Sequence, residues 1–492
     1  MSLSIQEGSA RSGEKSLYEQ KTGGKQMKLI KNLYKWCEEH ITITIVMLSF
    51  IIITLCSKNS FLYCFNDGQD INIYRTIGRS MLSGLIPYRD LFDHKGPYVY
   101  FLFAVDSIIP MFAYLIEILA CGITLFFAYK MVKNYSKTPL INVIVFGSIA
   151  YFSESFSHGG GTVEEYFMPI MIYVIYIGLE YTKGNKSALT YKQFLLIGIY
   201  SGMILWAKYS LLGFFIGWCI VPFGIMIKNK EWKKIKTGIG CIVIGVIAVT
   251  IPVFIYFGYN QAIKDLIQVY FVDNIGMYTV KDNIIINVIV GVIIDSIVSK
   301  FVMIGVILGL INIFKLTKLE KAYFLIIFAV MLLTIYGGGT FYRYYYFPFT
   351  FYILFMVTSH KLTKVIAVIL IGLSILLNSN IRHMQYEKMD MPQYKFAEII
   401  CKEKNPTVLN YNFLDGGFYA AAEVVPNIKY FCHLNIGIGS KEMEQHIKNK
   451  KVDFYICRDK QIQFDGYTEV SSASFQYEEQ YRTYYLYQLV EE

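Results

Sequence analysis

Long apolar runs separated by short polar clusters fill the first three quarters of the chain. An apolar helix needs about 20 residues to cross about 30 Å of hydrocarbon, and shorter runs cross only where their flanks help. The pattern predicts eleven membrane-spanning helices, at residues 41–57, 111–130, 139–154, 167–181, 191–207, 209–227, 237–257, 299–315, 321–337, 344–358 and 364–378. The run at 96–109 is too short to cross, so it is predicted to lie as a helix at the outer interface.

The lysines give the predicted helices an orientation. Clusters follow the even-numbered spans, as in "KNYSK", "YTKGNKSALTYK", "KNKEWKKIK", "KLTKLEK" and "SHKLTK". Because lysine and arginine concentrate in cytoplasmic loops, the N-terminus is predicted inside and the C-terminus outside. The polar stretches at 58–95, 155–166, 207–210 and 337–346 then share the outer face with the loop at 258–298, in which "DLIQVYFV" has near-helical spacing and predicts a second interfacial helix.

The two ends of the chain differ from this apolar middle. Residues 1–40 are polar and basic, predict a cytoplasmic tail, and are predicted to be disordered up to about Gln26. Residues 41–378 form the predicted membrane domain. Residues 379–492 are polar and mix strand-like "TVLNY", "KVDFYICR" and "TYYLYQLV" with helix-like "PQYKFAEIICKEK" and "SKEMEQHIKN". They predict a small extracytoplasmic α/β domain.

Composition agrees with a polytopic helical membrane protein. The chain of 492 residues is 54% hydrophobic and 17% charged, and its formal charge is +9. In a soluble domain such a positive charge would suggest a nucleic-acid partner. Here the lysines lie in short clusters between apolar runs, a pattern that determines membrane topology, so no nucleic-acid partner is predicted. Nine cysteines include no C-x-x-C pair, which argues against a metal finger and leaves a disulfide among Cys401, Cys432 and Cys457 open.

The first outer loop holds the densest charge in the apolar part of the chain. If residues 70–83 form a helix, Asp70, Tyr74, Ile77 and Met81 share one face, so an acid lies on the side that packs against apolar surface. A carboxylate there is costly unless it is paired or functional. The alternative is that these charges only solvate an outer loop.

The loop sequence also resembles a known enzyme superfamily. The spacing D-x-x-x-Y-x-x-x-G-R-x-M-L, met by Asp70, Tyr74, Gly78, Arg79, Met81 and Leu82 and followed by "GLIPYRDLFDHKGP", is similar to the first outer loop of bacterial polytopic glycosyltransferases of the glycosyltransferase C superfamily. The branch concerned includes protein O-mannosyltransferases and lipid A aminoarabinose transferases. The acidic pair common there is replaced by Asp70-Ile71 with Asp67 upstream, and its Lys-Pro-Pro is replaced by Lys95-Gly96-Pro97.

The resemblance implies an enzyme that moves a sugar from a polyprenyl-phosphate donor to a glycan, lipid or protein acceptor on the outer face of the cytoplasmic membrane. The same resemblance implies that Asp70 corresponds to the catalytic base of these glycosyltransferases. A single base suffices for one inverting displacement. A polyprenyl phosphate leaves as an anion, so it needs positive charge rather than a general acid.

Three cations on the predicted outer face are candidates for the donor phosphate. Lys95 closes the first loop, Lys208 lies between two apolar runs where a cation is expensive, and Arg343 lies among tyrosines and glycines. The alternative for Arg343 is a side chain that extends to the headgroups within an aromatic belt.

Further polar residues are candidates for assisting substrate or metal. They are Asp67, Tyr74, Arg79, His94, Glu164 and Glu165. A divalent metal ion is the one cofactor the sequence leaves open, with Asp67, His158, Glu164 and Glu165 as its predicted ligands. The two glutamates have an alternative role as acids at the N-terminus of the next helix. The glycines of "SHGGGTVEEY" form no P-loop, because the following Lys-Ser/Thr is absent.

Two other functions remain open at this stage. A transporter or flippase for lipid-linked glycans requires a polar path through the membrane, yet Asp106, Glu117 and Asp295 are the main intramembrane charges. A polytopic glycan polymerase or ligase would have a similar number of spans, but such enzymes tend to carry their charge in a late outer loop.

Overall fold

The computed structural model is mostly helical, and helices follow the apolar runs. The residues it describes are 28–29, 31–152, 159–278, 283–359, 364–434, 438–477 and 480–490. Most of the predicted disordered tail therefore lies outside the described residues. The rest of that predicted tail is helical over Lys31–Glu39 (α1), which joins the next helix at a bend of 104°.

The helices α2 to α10 build the first part of the bundle. Their bounds are Ile41–Cys56 (α2), Gln69–Leu82 (α3), Pro97–Ile108 (α4), Phe112–Val132 (α5), Pro139–Phe152 (α6), Val163–Thr182 (α7), Tyr191–Leu205 (α8), Gly213–Lys228 (α9) and Trp232–Tyr259 (α10). α4 is the predicted interfacial helix, and it begins with proline at its first position, where the missing N–H is not needed.

The remaining bundle helices are shorter and more broken. Their bounds are Ile263–Ile267 (α11), Asn274–Tyr278 (α12), Ile284–Val298 (α13), Lys300–Ile313 (α14), Lys318–Tyr336 (α15), Ile353–Ser359 (α16) and Lys364–Leu376 (α17). A π-helical segment, Gln268–Asp273, joins α11 to α12, so the "DLIQVYFV" stretch is helical as predicted. A 3₁₀ helix, Arg343–Tyr352, precedes α16.

Within the described residues, four helical segments are long and apolar enough to cross a membrane, or five if the bent pair α1 and α2 counts as one. The four are Phe112–Val132, Tyr209–Lys228, Trp232–Tyr259 and Lys318–Tyr336. These match the predicted spans 111–130, 209–227, 237–257 and 321–337. Of the eleven predicted spans, four, or five with the bent pair, therefore correspond to described helices that are long and apolar enough to cross a membrane.

The other predicted spans differ for identifiable reasons. Helices α6, α8, α14 and α17 match the predicted positions but end after 13 to 15 residues. Predicted span 344–358 is not one helix, because its first part is the 3₁₀ segment that contains Pro348.

The apolar helix α13 occupies part of the predicted outer loop 258–298. Its Asn287 amide donates to the Gly337 carbonyl, and Tyr336 donates to Asp295, so both ends of α13 contact the C-terminal end of α15.

Loops predicted to be cytoplasmic meet at one end of the bundle. The Tyr135 hydroxyl donates to the Glu320 carboxylate at 2.8 Å, and Lys183 lies 4.6 Å from the centre of the Tyr135 ring. Glu231 accepts a hydrogen bond from Tyr181 and pairs with Lys186 at 3.3 Å. Four of the lysine clusters used for orientation are thus on the same side of the molecule.

The C-terminal region, residues 379–492, carries a four-stranded mixed sheet. The strands are Val408–Asn410 (β1), Phe454–Arg458 (β2), Tyr467–Tyr477 (β3) and Gln480–Leu489 (β4), in the order β1-β2-β4-β3, with β1 parallel to β2 and the other pairs antiparallel. Three helices accompany it: Pro392–Ile400 (α18), Phe418–Ala422 (α19) and Ser440–Lys448 (α20). The three predicted strands and two predicted helices are confirmed, while β3 and α19 were not predicted.

This sheet region packs onto the polar stretch at 58–95, called the first loop below. Thr76 on α3 donates to the Asp415 carboxylate at 2.6 Å, and the Phe92 amide donates to the Lys429 carbonyl at 2.8 Å. One apolar core runs from the helical bundle into the C-terminal region. The first loop is therefore held between the bundle and the sheet.

Candidate functional site

Asp70 and Lys95, both in the polar stretch at 58–95, form an ion pair. Asp70 lies in the first turn of α3, where the helix dipole favours a carboxylate, and its Oδ2 is 3.6 Å from Lys95 Nζ. The Asp70 side chain is 27% exposed and that of Lys95 only 10%. Tyr74, one turn further along α3, is fully buried against Tyr100 and Phe103 of α4. The predicted stripe on α3 is thus confirmed, with its acid at the open end.

A backbone junction brings Lys95 next to the second candidate lysine. The amides of Gly96 and Tyr98 donate to the carbonyls of Ala207 and Trp206, at 3.1 and 3.2 Å. A Cβ atom on residue 96 would overlap the Trp206 carbonyl, so glycine is required for this approach. The chain on either side of the junction carries Lys95 and Lys208 into the same cavity.

Lys208 is held by an acid and by two aromatic rings. It forms a buried ion pair with Glu164, the acid in the first turn of α7. Its Nζ also lies 4.3 Å from the centre of the Tyr345 ring and 4.7 Å from that of Tyr344, within the range of a cation–π interaction. These contacts offset part of the cost of burying the ammonium group.

The two lysines lie in the wall of a small cavity of about 170 Å³, called the lysine cavity below. Four segments that are distant in sequence close it: the end of the first loop, the α8–α9 junction, the stretch at 270–275 and the stretch at 334–345. Its lining residues are His94, Lys95, Ala207, Lys208, Tyr209, Ser210, Tyr270, Asn274, Ile275, Thr334, Ile335, Gly338, Thr340, Tyr342, Tyr344 and Tyr345. The cavity therefore offers two cations, several hydroxyl groups and aromatic faces.

The pKa values of the two lysines in this cavity shift in opposite directions. Burial lowers the pKa of Lys95, but the facing Asp70 carboxylate and nearby Tyr74 outweigh it and raise the pKa well above its ordinary value. Burial lowers the pKa of Lys208 in spite of its Glu164 partner. Burial and the Lys95 charge lower the pKa of His94 well below its usual range, so its imidazole is neutral. An anion that entered the cavity would favour the charged form of Lys208.

Several predicted site residues lie elsewhere. Asp67 is 3% exposed and pairs with Lys58 at 2.6 Å, while its second oxygen is 3.8 Å from His383. Arg79 lines a different cleft on α3. Arg343 is exposed and is absent from the residues that line the lysine cavity, although its neighbours Tyr342 and Tyr344 line it.

The four predicted metal ligands have no shared site in the described part of the chain. Glu165 points away from Glu164: its Oε2 accepts the Gly161 amide at 2.8 Å, and it lies near Glu117 of α5. Asp67 and Glu164 each have a lysine partner. His158 lies outside the described residues, and among those described no three His, Cys, Asp or Glu side chains gather. A metal requirement stays a prediction. All nine cysteines are free, so the disulfide left open by the sequence is not formed.

Sequence reasoning missed much of the cavity wall. Tyr209, Tyr270 and Asn274 were not singled out, although Asn274 donates to the His94 carbonyl at 2.9 Å and Tyr270 donates to the Leu205 carbonyl at 2.6 Å. Tyr344 and Tyr345 were noted only as neighbours of Arg343. The one available signal was the dense run of tyrosines, which also fits an interfacial belt.

A second, larger cavity adjoins the first. This apolar groove of about 480 Å³ lies between α4, α5, α7 and α8, and Ala207 lines both spaces. Its lining residues are Tyr98, Val99, Phe101, Leu102, Val105, Phe112, Ile116, Leu119, Ala120, Ile123, Val163, Tyr166, Pro169, Ile170, Met203, Ile204 and Ala207. A charged cavity is thus joined to an almost purely apolar one.

Comparison with known proteins adds no relative. No family model matches the chain, and no curated protein is a significant match to it.

Proposed function

We propose that this chain is an inverting glycosyltransferase that moves a sugar from a polyprenyl-phosphate carrier to an acceptor at the outer face of the cytoplasmic membrane, in the assembly of a cell-surface glycan or glycoconjugate. The observation that carries the proposal is that Ala207 lines both the lysine cavity and the apolar groove. The cavity is lined by Lys208 and by Lys95, whose ammonium group pairs with Asp70, and the groove between the helices is almost purely apolar. A lipid-linked sugar has the same division into an anionic head and an apolar tail.

The reaction assigns a separate role to each charged group. Asp70 takes the proton of the acceptor hydroxyl as its oxygen attacks the anomeric carbon, and the bond from that carbon to the phosphate oxygen breaks. The carrier leaves as polyprenyl phosphate with the bonding electron pair. A single displacement of this kind inverts the configuration at the anomeric carbon.

The lysines supply the charge that the leaving group requires. Lys95 and Lys208 both line the cavity, so a phosphate placed there receives two ammonium groups. Lys95 holds Asp70 in an ion pair at 3.6 Å. A phosphate that draws Lys95 away weakens this ion pair, which ties the basicity of Asp70 to binding of the donor.

The apolar groove is assigned to the first part of the polyprenyl chain. Nearly all of its wall is aliphatic or aromatic, and Met203 and Leu119 on its rim are more than one third exposed. In this assignment the lysine-rich end of the bundle is cytoplasmic and the lysine cavity is external. The short helices α6, α8, α14 and α17, together with α2, α7 and the 344–358 segment, complete eleven crossings.

A transport function has weaker support. Among the described residues, the buried acids of the bundle have local partners: Asp106 pairs with Arg75, Asn59 donates to Glu117, and Tyr336 donates to Asp295. They form no polar line between the two ends of the bundle. A transporter needs such a path, and a surface enzyme does not.

The test is sugar transfer by the purified full chain in liposomes, with radiolabelled polyprenyl-phosphate sugars and a panel of acceptors. Asp70→Asn should lower turnover by about 10²-fold or more, as expected for loss of a general base. Asp265→Asn, in α11 and outside both cavities, is the matched control and should retain activity. Normal turnover by a folded Asp70→Asn variant would exclude Asp70 as the base. Translocation without transfer would favour a flippase, and growth of a long glycan would favour a polymerase or ligase.

A further inference from the structure

A second polar cleft lies on the face of α3 that is turned away from the Asp70 site. It has a volume of about 400 Å³ and is called the arginine cleft below. The first loop, the α4–α5 corner and the C-terminal region enclose it. Its lining residues are Lys58, Asn59, Ser60, Tyr63, Cys64, Phe65, Asn66, Arg75, Thr76, Arg79, Asp106, Ser107, Pro110, Met111, Tyr394, Tyr419, Ala420, Glu423 and Val424. The proposed transfer reaction uses none of these groups.

Three cations line the arginine cleft, and they are satisfied to different degrees. Lys58 already forms a buried ion pair with Asp67, in which its Nζ lies 2.6 Å from Asp67 Oδ1. Arg75 donates to Asn59 at 2.8 Å and has only a longer contact with Asp106, at 3.6 Å. Arg79 has no acidic partner among the described residues, and its Nη1 is buried without a hydrogen-bond partner. Arg79 thus lines the cleft with a guanidinium that has no acidic partner among the described residues and one unused donor.

Such a donor indicates a missing acceptor. A buried N–H without a partner costs about 1–3 kcal/mol, and more on a charged group. The planar fork of arginine matches the oxygens of phosphate, which can take two parallel hydrogen bonds. Arg75 and Arg79 are one turn apart on α3, so both can reach one anionic group.

The rim of the cleft indicates where that anion comes from. Pro110 and Met111 line the cleft directly before α5, one of the four helices of membrane-crossing length. Beside them, Ile108 and Ile109 are 63% and 49% exposed. Further along the chain, Leu115 of α5 is 54% exposed and extends this apolar surface. Lipid headgroups meet acyl chains at this level of a spanning helix.

We propose that the arginine cleft binds the headgroup phosphate of an anionic phospholipid. Arg79 is its main ligand and Arg75 its second, while one acyl chain lies along Ile109 and Leu115 of the α4–α5 surface. Basic pockets beside spanning helices bind anionic headgroups for the same electrostatic reason. Tyr394 and Glu423 close the cleft from the C-terminal region, so the bound lipid would also contact the region that covers the first loop.

The test measures lipid binding by the delipidated full chain in a nonionic detergent, using native mass spectrometry. Short-chain phosphatidylglycerol should bind at least about tenfold more tightly than phosphatidylcholine with the same acyl chains. Arg79→Gln should lose about tenfold in affinity for phosphatidylglycerol and little for phosphatidylcholine. Arg89→Gln is the matched control, because Arg89 pairs with Asp90 outside the cleft and should leave binding unchanged.

Three results would overturn the proposal. The first is equal phosphatidylglycerol affinity in wild type and Arg79→Gln. The second is equal affinity for the two lipids. The third is binding of glycerol phosphate as tight as that of phosphatidylglycerol, which would assign the cleft to a soluble phosphate. If Arg79→Gln does not fold, Arg79→Lys retains the charge without the fork, and it should show a smaller but measurable loss. No sugar donor is present, so the outcome is independent of the transfer assay.

Discussion

Two adjacent glutamates at the start of α7 have opposite environments. Glu164 pairs with Lys208 in the wall of the lysine cavity, whereas one oxygen of Glu165 is buried without a hydrogen-bond partner among the described residues. Removing one member of a buried ion pair leaves an uncompensated charge and costs about 3–5 kcal/mol, while neutralising an unsatisfied buried carboxylate removes a cost. The two positions are therefore a matched pair for mutation.

We expect Glu164→Gln to lower stability by about 3 kcal/mol and to reduce sugar transfer, because Lys208 loses its counter-charge. Glu165→Gln should leave stability unchanged or raise it by about 1 kcal/mol, because the amide adds a donor beside Glu117. Thermal unfolding in detergent and the transfer assay measure both effects. A larger loss from Glu165→Gln than from Glu164→Gln would contradict this assignment.

Asp415 predicts a dependence of stability on pH. Burial raises its pKa to about 6, although Thr76, Gly417 and Asn410 donate hydrogen bonds that act in the opposite direction. Since the pKa in the folded chain is above that of an unfolded aspartate, its contribution to stability is complete below about pH 4 and is lost as the pH rises through about 6.

Asp415→Asn removes this titration. Relative to wild type, the variant should gain about 2 kcal/mol of unfolding free energy between about pH 4.5 and about pH 7. The measurement is unfolding of the full chain in detergent at both pH values, and the comparison of differences cancels any constant effect of the amide. Parallel pH profiles for the two proteins would show that Asp415 does not titrate in this range.

At the level of single residues, the sequence predicted the centre of the site better than its edges. The sequence singled out four charged residues in three separate stretches: Asp70, Lys95, Lys208 and Glu164. The structure pairs them, because a charged side chain between apolar runs is costly to bury without a partner of opposite charge. Asp67, predicted to assist substrate or metal, pairs with Lys58, nine residues upstream, and does not line the lysine cavity. The pairing of each carboxylate with a particular lysine depends on how the helices pack, which cannot be read from a single sequence.

Among the structural elements, the junction between the first loop and α8 determines the site geometry. Gly96 makes it possible, because any larger residue overlaps the Trp206 carbonyl. We expect Gly96→Ala to move Lys95 away from Lys208 and to reduce transfer by at least about tenfold, with a stability loss of about 1–3 kcal/mol from overpacking.

The control for Gly96→Ala is a glycine with open space around its Cα. Gly240→Ala in α10 has nothing within 4 Å of the added methyl group, so it should raise stability by up to about 1 kcal/mol and retain transfer. Transfer and thermal unfolding are measured on both variants. Full activity in a folded Gly96→Ala variant would show that the junction does not position the lysines.

The predicted elements fail where an apolar run is not a straight helix or a simple strand. Residues 344–358 are apolar enough for a span, but aromatic crowding and Pro348 give a buried 3₁₀ segment in its place. Strand β3 was missed because a register shift between Glu469 and Ser471 breaks the alternation on which strand prediction depends. The hydropathy of a segment indicates that its side chains lie in apolar surroundings, but it does not tell whether those surroundings are lipid or the packed interior of the protein.

For the whole molecule, the placement of charge is the strongest prediction from the sequence. Clusters chosen only by the positive-inside pattern meet at one end of the bundle. At the other helix ends, Asp70 pairs with Lys95 and Glu164 pairs with Lys208, each acid in the first turn of its helix. The packing of the C-terminal region onto α3 was not predicted, because contacts such as Thr76 with Asp415 link positions more than 300 residues apart.

This arrangement predicts which positions a membrane-impermeant thiol reagent reaches in intact cells. Arg343 and Lys233 are both exposed but belong to the two different ends of the bundle. In a Cys401→Ser background, which removes the exposed native thiol, Arg343→Cys should be labelled from outside, whereas Lys233→Cys should react only after the membrane is permeabilised. The background chain without a further substitution gives the baseline. Labelling of Lys233→Cys alone in intact cells would place the lysine cavity on the cytoplasmic side, where the proposed donor and acceptor would have to be cytoplasmic as well.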